Sequence, residues 1–193
     1  MKTALPLFII TVLVTAAIAF IHGLTEERIK TNEHAAYTAA LSALVIGIPD
    51  PVFSETHETG NRTGVVSYTL VTSGGEFAAV VINVRFMGDQ GPASVAVAAS
   101  TCGSVLGVKV TSHEETPGLG ANAAGTDFLS QFTDKSGIFN VVRTANARIH
   151  TNDIIAVTAA TNTSRAVADA VNEALRFASQ LILKFYAEIL AEG

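Results

Sequence analysis

The longest apolar run comes first. Between Ala4 and Leu24 (ALPLFIITVLVTAAIAFIHGL) there is no Asp, Glu, Lys or Arg, and about 20 such residues let a helix cross the hydrocarbon core of a bilayer. His22 falls at the far end of the run, at interfacial depth. Lys2 precedes it, and Glu26, Glu27, Arg28 and Lys30 follow. The positive-inside rule then leans the N-terminus toward the cytoplasm and the rest of the chain outside. Ala17-Ile18-Ala19 has the small-x-small form of a signal-peptide cleavage site, but the run exceeds a typical signal core. Residues 1–24 are therefore read as a retained transmembrane anchor in the lipid bilayer of the cell (inner) membrane.

After the anchor the period changes. Thr25 before Glu26 and Glu27 reads as a helix N-cap with acids in the first turn. Ile29, Ala36, Ala40, Leu41 and Leu44 continue it as an amphipathic helix to about Val45, ended by Pro49 and Pro51. The middle of the chain is strand-like over 63–71, 76–86, 94–99 and 105–111, rich in Val, Ile, Thr and Phe. Gly-containing breaks at 73–75, 88–92 and 102–103 separate these stretches, and such short connections predict an antiparallel meander. Residues 138–144 offer a further strand. From Ser164 to about Glu192, the stripe Val167, Val171, Ala174, Ala178, Ile182, Phe185 and Ile189 predicts a closing helix. The expected architecture is α+β: one extracytoplasmic domain over residues 25–193, an antiparallel sheet with flanking helices.

Composition narrows the chemistry. A net charge of −5 supplies no basic footprint for nucleic acid. The single cysteine, Cys102, excludes an internal disulfide and any cysteine-built metal site. No metal site is expected.

Two segments could carry function. Ser112-His113-Glu114-Glu115-Thr116-Pro117-Gly118-Leu119-Gly120 leaves a predicted strand through a Pro-Gly turn. On its residues alone it is a metal site, a catalytic loop or a solvated turn, and His113 lacks the helical i, i+4 partner of a zinc motif. The second segment, Ala156-Val-Thr-Ala-Ala-Thr-Asn-Thr-Ser-Arg-Ala-Val167, crowds the hydroxyls of Thr158, Thr161, Thr163 and Ser164 at a helix start. Unpaired N–H groups and the positive end of the helix dipole gather there, so it reads either as a phosphate site or as an elaborate cap.

Taken together, and in this order, the anchor, the 26–44 helix, the meander and the two segments resemble the FMN-binding G subunit of the Rnf ion-translocating electron-transport complex. The C subunit of the sodium-translocating NADH:quinone reductase is its close relative. The family's His-x-Glu-Thr-Pro-Gly-Leu-Gly is matched by His113 and Glu115–Gly120, and its Ser/Thr-Gly-Ala-Thr-x-Thr/Ser-Ser by Thr158, Ala160, Thr161, Thr163 and Ser164. The resemblance implies FMN esterified through its phosphate to Thr161, or held there without a bond. Thr158, Ala159, Ala160, Thr163 and Ser164 would surround the phosphate. His113, Glu115, Thr116, Pro117, Gly118 and Leu119 would lie against the isoalloxazine ring. It further implies a redox subunit of an oxidoreductase complex with no substrate of its own. A flavin transferase would mature it, and A-, D- and E-type membrane subunits carrying an iron–sulfur cluster and a second flavin would be its partners. The chain departs from the pattern at Ile155, where the family carries Asp, and at Ala159, where it carries Gly. The alternatives are an FMN-free scaffold subunit, a free-standing membrane-anchored flavoprotein carrier, or the reductase C subunit.

Overall fold

Four strands rich in β-branched residues dominate the structure, a computed structural model that describes residues 14–15, 40–60, 64–144 and 150–192, with side chains to 187. Two short strands, β1 (Val52–Phe53) and β2 (His57–Glu58), pair with β3 (Val65–Ser73). The meander continues through β4 (Glu76–Met87), β5 (Pro92–Ser100) and β6 (Val105–Ser112). All pairings are antiparallel, in the order β1-β3-β4-β5-β6 with β2 also along β3. The predicted meander is therefore present. The anchor and most of the amphipathic helix lie outside the described residues, and among those described no helix is long and apolar enough to cross a membrane.

Alternation along the central strands divides the core in two. Val80, Ile82 and Val84 of β4 and Val95, Val97 and Ala99 of β5 face the main core. Ala79 and Val81, with Ala96 and Ala98, face the opposite side, where Leu41, Leu44 and Val45 cover them. With both faces buried, these strands read as apolar runs instead of alternating patterns.

After β6 come a 3₁₀ turn (Gly120–Ala124), the short helix α1 (Thr126–Leu129) and a second 3₁₀ turn (Ser130–Phe132). The sequence pattern predicts none of these, since their small and polar residues carry too little periodicity. Phe132 is fully buried and meets Phe128 and Phe139 edge to face, at ring distances of 5.6 and 5.0 Å. The strand expected over 138–144 shrinks to β7 (Asn140–Val142). It pairs in parallel with β8 (Asp153–Ile155), a strand the sequence pattern does not suggest. The last helix, α2 (Thr161–Glu192), starts three residues ahead of its predicted start and lays Val167, Ala170, Val171, Ala174, Ala178 and Ile182 on the sheet. Phe185, from the predicted stripe, stacks obliquely on Phe77 instead.

Replacing Phe132 with Ala should cost about 3–5 kcal/mol, because it removes a fully buried ring packed between two others. Thermal unfolding of the full chain checks this as a large fall in Tm.

Candidate functional site

Three segments converge at the end of the sheet where α2 begins. The first is the β4–β5 turn, closed by Gly88 N–H on Gly91 C=O at 2.8 Å. The second is the loop leaving β6. Its Pro117 and Gly118 occupy the middle of a turn closed by Leu119 N–H on Thr116 C=O at 3.2 Å, and Gly118 has φ +79°. Pro followed by a residue at positive φ is the signature of a type II turn, which explains the Pro-Gly pair.

Glu115 joins these two segments. It is 7% exposed, and its Oε1 accepts the backbone N–H of Asp89 at 2.7 Å. A Cβ on Gly88 would collide with Oε1, and one on Gly120 with Oε2. Neither glycine has a positive φ. Both are needed for the room they leave a buried carboxylate.

The third segment is the approach to α2. Ala160 N–H bonds Val157 C=O at 3.0 Å, and the third residue of that turn, Ala159, has φ +62°. For a residue with a Cβ this left-handed conformation costs about 1–2 kcal/mol. Fully buried Ser164 ties turn to helix. Its Oγ accepts Val157 N–H at 3.0 Å and donates to Ala160 C=O at 2.8 Å, while its own N–H also bonds Ala160 C=O. That last bond is the first of the helix. The N–H groups of Thr161, Asn162 and Thr163 precede it and point out of the helix end.

Between the segments lies a cavity of about 280 Å³, open to solvent on one side. Asp89, Gln90, Glu115, Thr116, Leu119 and Gly120 line one wall, and 159–163 the other. Of the residues expected to bind a ligand, Glu115, Thr116, Leu119, Ala159, Ala160, Thr161 and Thr163 are brought together. Thr158, Pro117 and Gly118 are exposed and do not line the cavity. His113 lines a separate void of only about 10 Å³. Ser164 is also outside the cavity, its hydroxyl and amide already engaged, so it stabilises the turn and offers the ligand nothing. Arg165 is exposed and does not line the cavity.

Sequence reasoning missed Asp89, Gln90 and Asn162. Asp89 Oδ1 accepts Asn162 Nδ2 at 3.2 Å, bridging the two walls, and its Oδ2 accepts Gln90 Nε2 at 3.1 Å. In the sequence, the turn Gly88-Asp-Gln-Gly91 registers only as a break between strands. The cavity thus contains two carboxylates, a helix N-terminus and hydroxyls, with no Lys or Arg among its described lining residues.

Residues 88–176 match the family profile described as FMN-binding domain, and that span includes every residue lining the cavity. A second profile, the RnfG N-terminal region, matches residues 1–44. By both matches the chain is similar to the RnfG family. It is 37% identical over 102 residues to the G subunit of the proton-translocating ferredoxin:NAD(+) oxidoreductase complex of Clostridium ljungdahlii, a match covering 53% of this chain and about half (54%) of the relative. It is 28% identical to the G subunit of the ion-translocating oxidoreductase complex of Vibrio atlanticus, over 93% of this chain and 90% of that one. The crystal structure of Shewanella oneidensis NqrC shares the fold, with a TM-score of 0.50 at 20% identity over 67% of this chain and 65% of that one.

Two substitutions test this geometry. Ala159→Gly should raise stability by about 0.5–1 kcal/mol by relieving the left-handed strain, net of glycine's entropy cost. Gly120→Ala should lower it, because the new methyl displaces the Glu115 carboxylate from the space it occupies. Tm measurements on both variants check the opposite signs.

Proposed function

We propose that this chain is the electron-transfer G subunit of a membrane-bound, ion-translocating ferredoxin:NAD+ oxidoreductase, and that it carries FMN esterified to Thr161. One observation carries the reading. A single cavity joins the 115–120 loop to the outward N–H groups of Thr161, Asn162 and Thr163. The donor set fits a phosphate, for which a helix N-terminus with free amides and adjacent hydroxyls is a ready site. At about 280 Å³ the cavity is at the small end of ligand pockets, so it takes the phosphate end and leaves the flat ring along the open side.

The charges favour the ester over free FMN. Asp89 and Glu115 share the cavity with the phosphate, and no described cationic side chain in its lining offsets them. A phosphodiester carries one negative charge where a free phosphate monoester carries close to two, so the bonded form suffers less repulsion. Forming the ester requires an activated donor, a flavin dinucleotide held by a transferase. The Thr161 Oγ–P bond replaces the donor's P–O–P bond, and the nucleoside monophosphate leaves with the hydroxyl proton.

When bound, FMN supplies one-electron transfer between neighbouring redox centres. The chain's residues hold and shape its environment. Thr161 and Thr163 fix the phosphate end. Ala159 and Ala160 keep that wall low. Leu119, 47% exposed at the cavity mouth, offers an apolar surface to the ring, and Thr116 a polar edge. The cluster and second flavin that exchange electrons with it reside on A-, D- and E-type membrane subunits, since Cys102 alone cannot ligate a cluster. Residues 1–24 anchor the domain on the extracytoplasmic face.

Intact mass of the purified chain after coexpression with a flavin transferase tests the assignment. The wild type should gain the mass of FMN less water, and Thr161→Ala should gain nothing. An unmodified wild type, or an adduct surviving in Thr161→Ala, overturns it.

A further inference from the structure

The ribbon that delivers the chain to Thr161 is a two-stranded parallel pair, a structure with little stability of its own. Bonds from Asn140 N–H to Asn152 C=O and from Ala156 N–H to Val142 C=O place the even-numbered residues of both strands inside the pair. The N–H and C=O of Ile155 therefore face outward from β8, and those of Phe139 outward from β7. Each of these two pairs is met by one side-chain amide. Gln131 Oε1 accepts Ile155 N–H at 2.8 Å while Gln131 Nε2 donates to Ile155 C=O at 3.1 Å. On the far edge, Asn172 Oδ1 accepts Phe139 N–H at 2.8 Å and Asn172 Nδ2 donates to Phe139 C=O at 3.0 Å. An amide presents donor and acceptor side by side, as a neighbouring strand does. Gln131 and Asn172 thus stand in for the two missing strands, and Asn172 ties the ribbon to α2 itself.

We infer that Gln131 is a positioning residue for the phosphate site. Gln131 does not itself line the cavity. It fixes the backbone at Ile155, from which Ala156 and the strained 157–160 turn lead directly to Thr161 and the first amides of α2. The contact involves only the main chain of residue 155, so it places no demand on the side chain there, and Ile is accommodated. Only an amide of this length satisfies both groups. Gln131→Glu keeps the acceptor for Ile155 N–H but sets a carboxylate oxygen against Ile155 C=O. Gln131→Met keeps the shape and loses both bonds.

The ligand half of this inference rests on the proposed FMN reading, and the test separates the two. Amide hydrogen exchange on the full-length, ligand-free chain should show residues 153–162 opening about tenfold faster in both variants, with β4 and β5 protected as in the wild type. Tm should fall little. After coexpression with a flavin transferase, FMN occupancy of Thr161 under limiting transferase should fall about tenfold in the same variants. Unchanged exchange over 153–162 overturns the inference, and so does accelerated exchange with wild-type FMN occupancy. If the wild type takes no adduct, the covalent reading fails, and titration with free FMN replaces occupancy: equal affinity in wild type and Gln131→Met then overturns the positioning role, and weakened affinity supports it.

Discussion

Ala170, Ala174 and Ala178 carry nothing beyond Cβ, so α2 lies close against β4 and β5, with Val167, Val171 and Ile182 filling the space along the same stripe. That contact fixes both the height and the rotation of the helix. Its N-terminus consequently emerges beside the β4–β5 turn and the loop leaving β6, with the amides of residues 161–163 directed at the gap. A larger side chain at any of the three alanines would lift the helix from the sheet. The cavity would open at its base although no residue lining it had changed.

Electrostatics refine what the packing sets up. The helix end contributes roughly half a positive charge, and the Asn162 side chain beside it already donates to the Asp89 carboxylate. Glu115 is held in place by a backbone N–H and by the emptiness of two glycines. The donors the site offers are therefore mainly directed main-chain groups, and its side chains add little net attraction for an anion. Such a site suits the tethered ligand proposed above better than one drawn from solution.

The sheet and the last helix were legible because burial imprints them on the sequence. Val, Ile and Phe cluster where two faces are covered, and α2 repeats its apolar stripe at helical spacing. The two motifs also yielded both walls of the cavity. What stayed hidden shares a physical cause: it depends on which way a polar group points. The hydroxyls of Thr161, Thr163 and Ser164 look equivalent as letters, yet Ser164 turns inward and spends its bonding capacity on the turn. Asp89 acts through a backbone amide as much as through its carboxylate, so the residue name gave no signal. Strands β7 and β8 are three residues each and are completed by Gln131 and Asn172, which no hydrophobic period can announce.

Ala159 shows how a shape can outlast the residue that ordinarily supports it. The packed ribbon below and the Ser164 bonds above impose the left-handed turn on an alanine. The folded surface in front of Thr161 therefore differs from a glycine-bearing one by a single outward methyl. An enzyme that recognises this surface after folding meets nearly the same relief in either case. One that reads the segment as an extended peptide meets a different word. For the modification proposed at Thr161, the left-handed angle of Ala159 is therefore where the two orders of folding and modification would part.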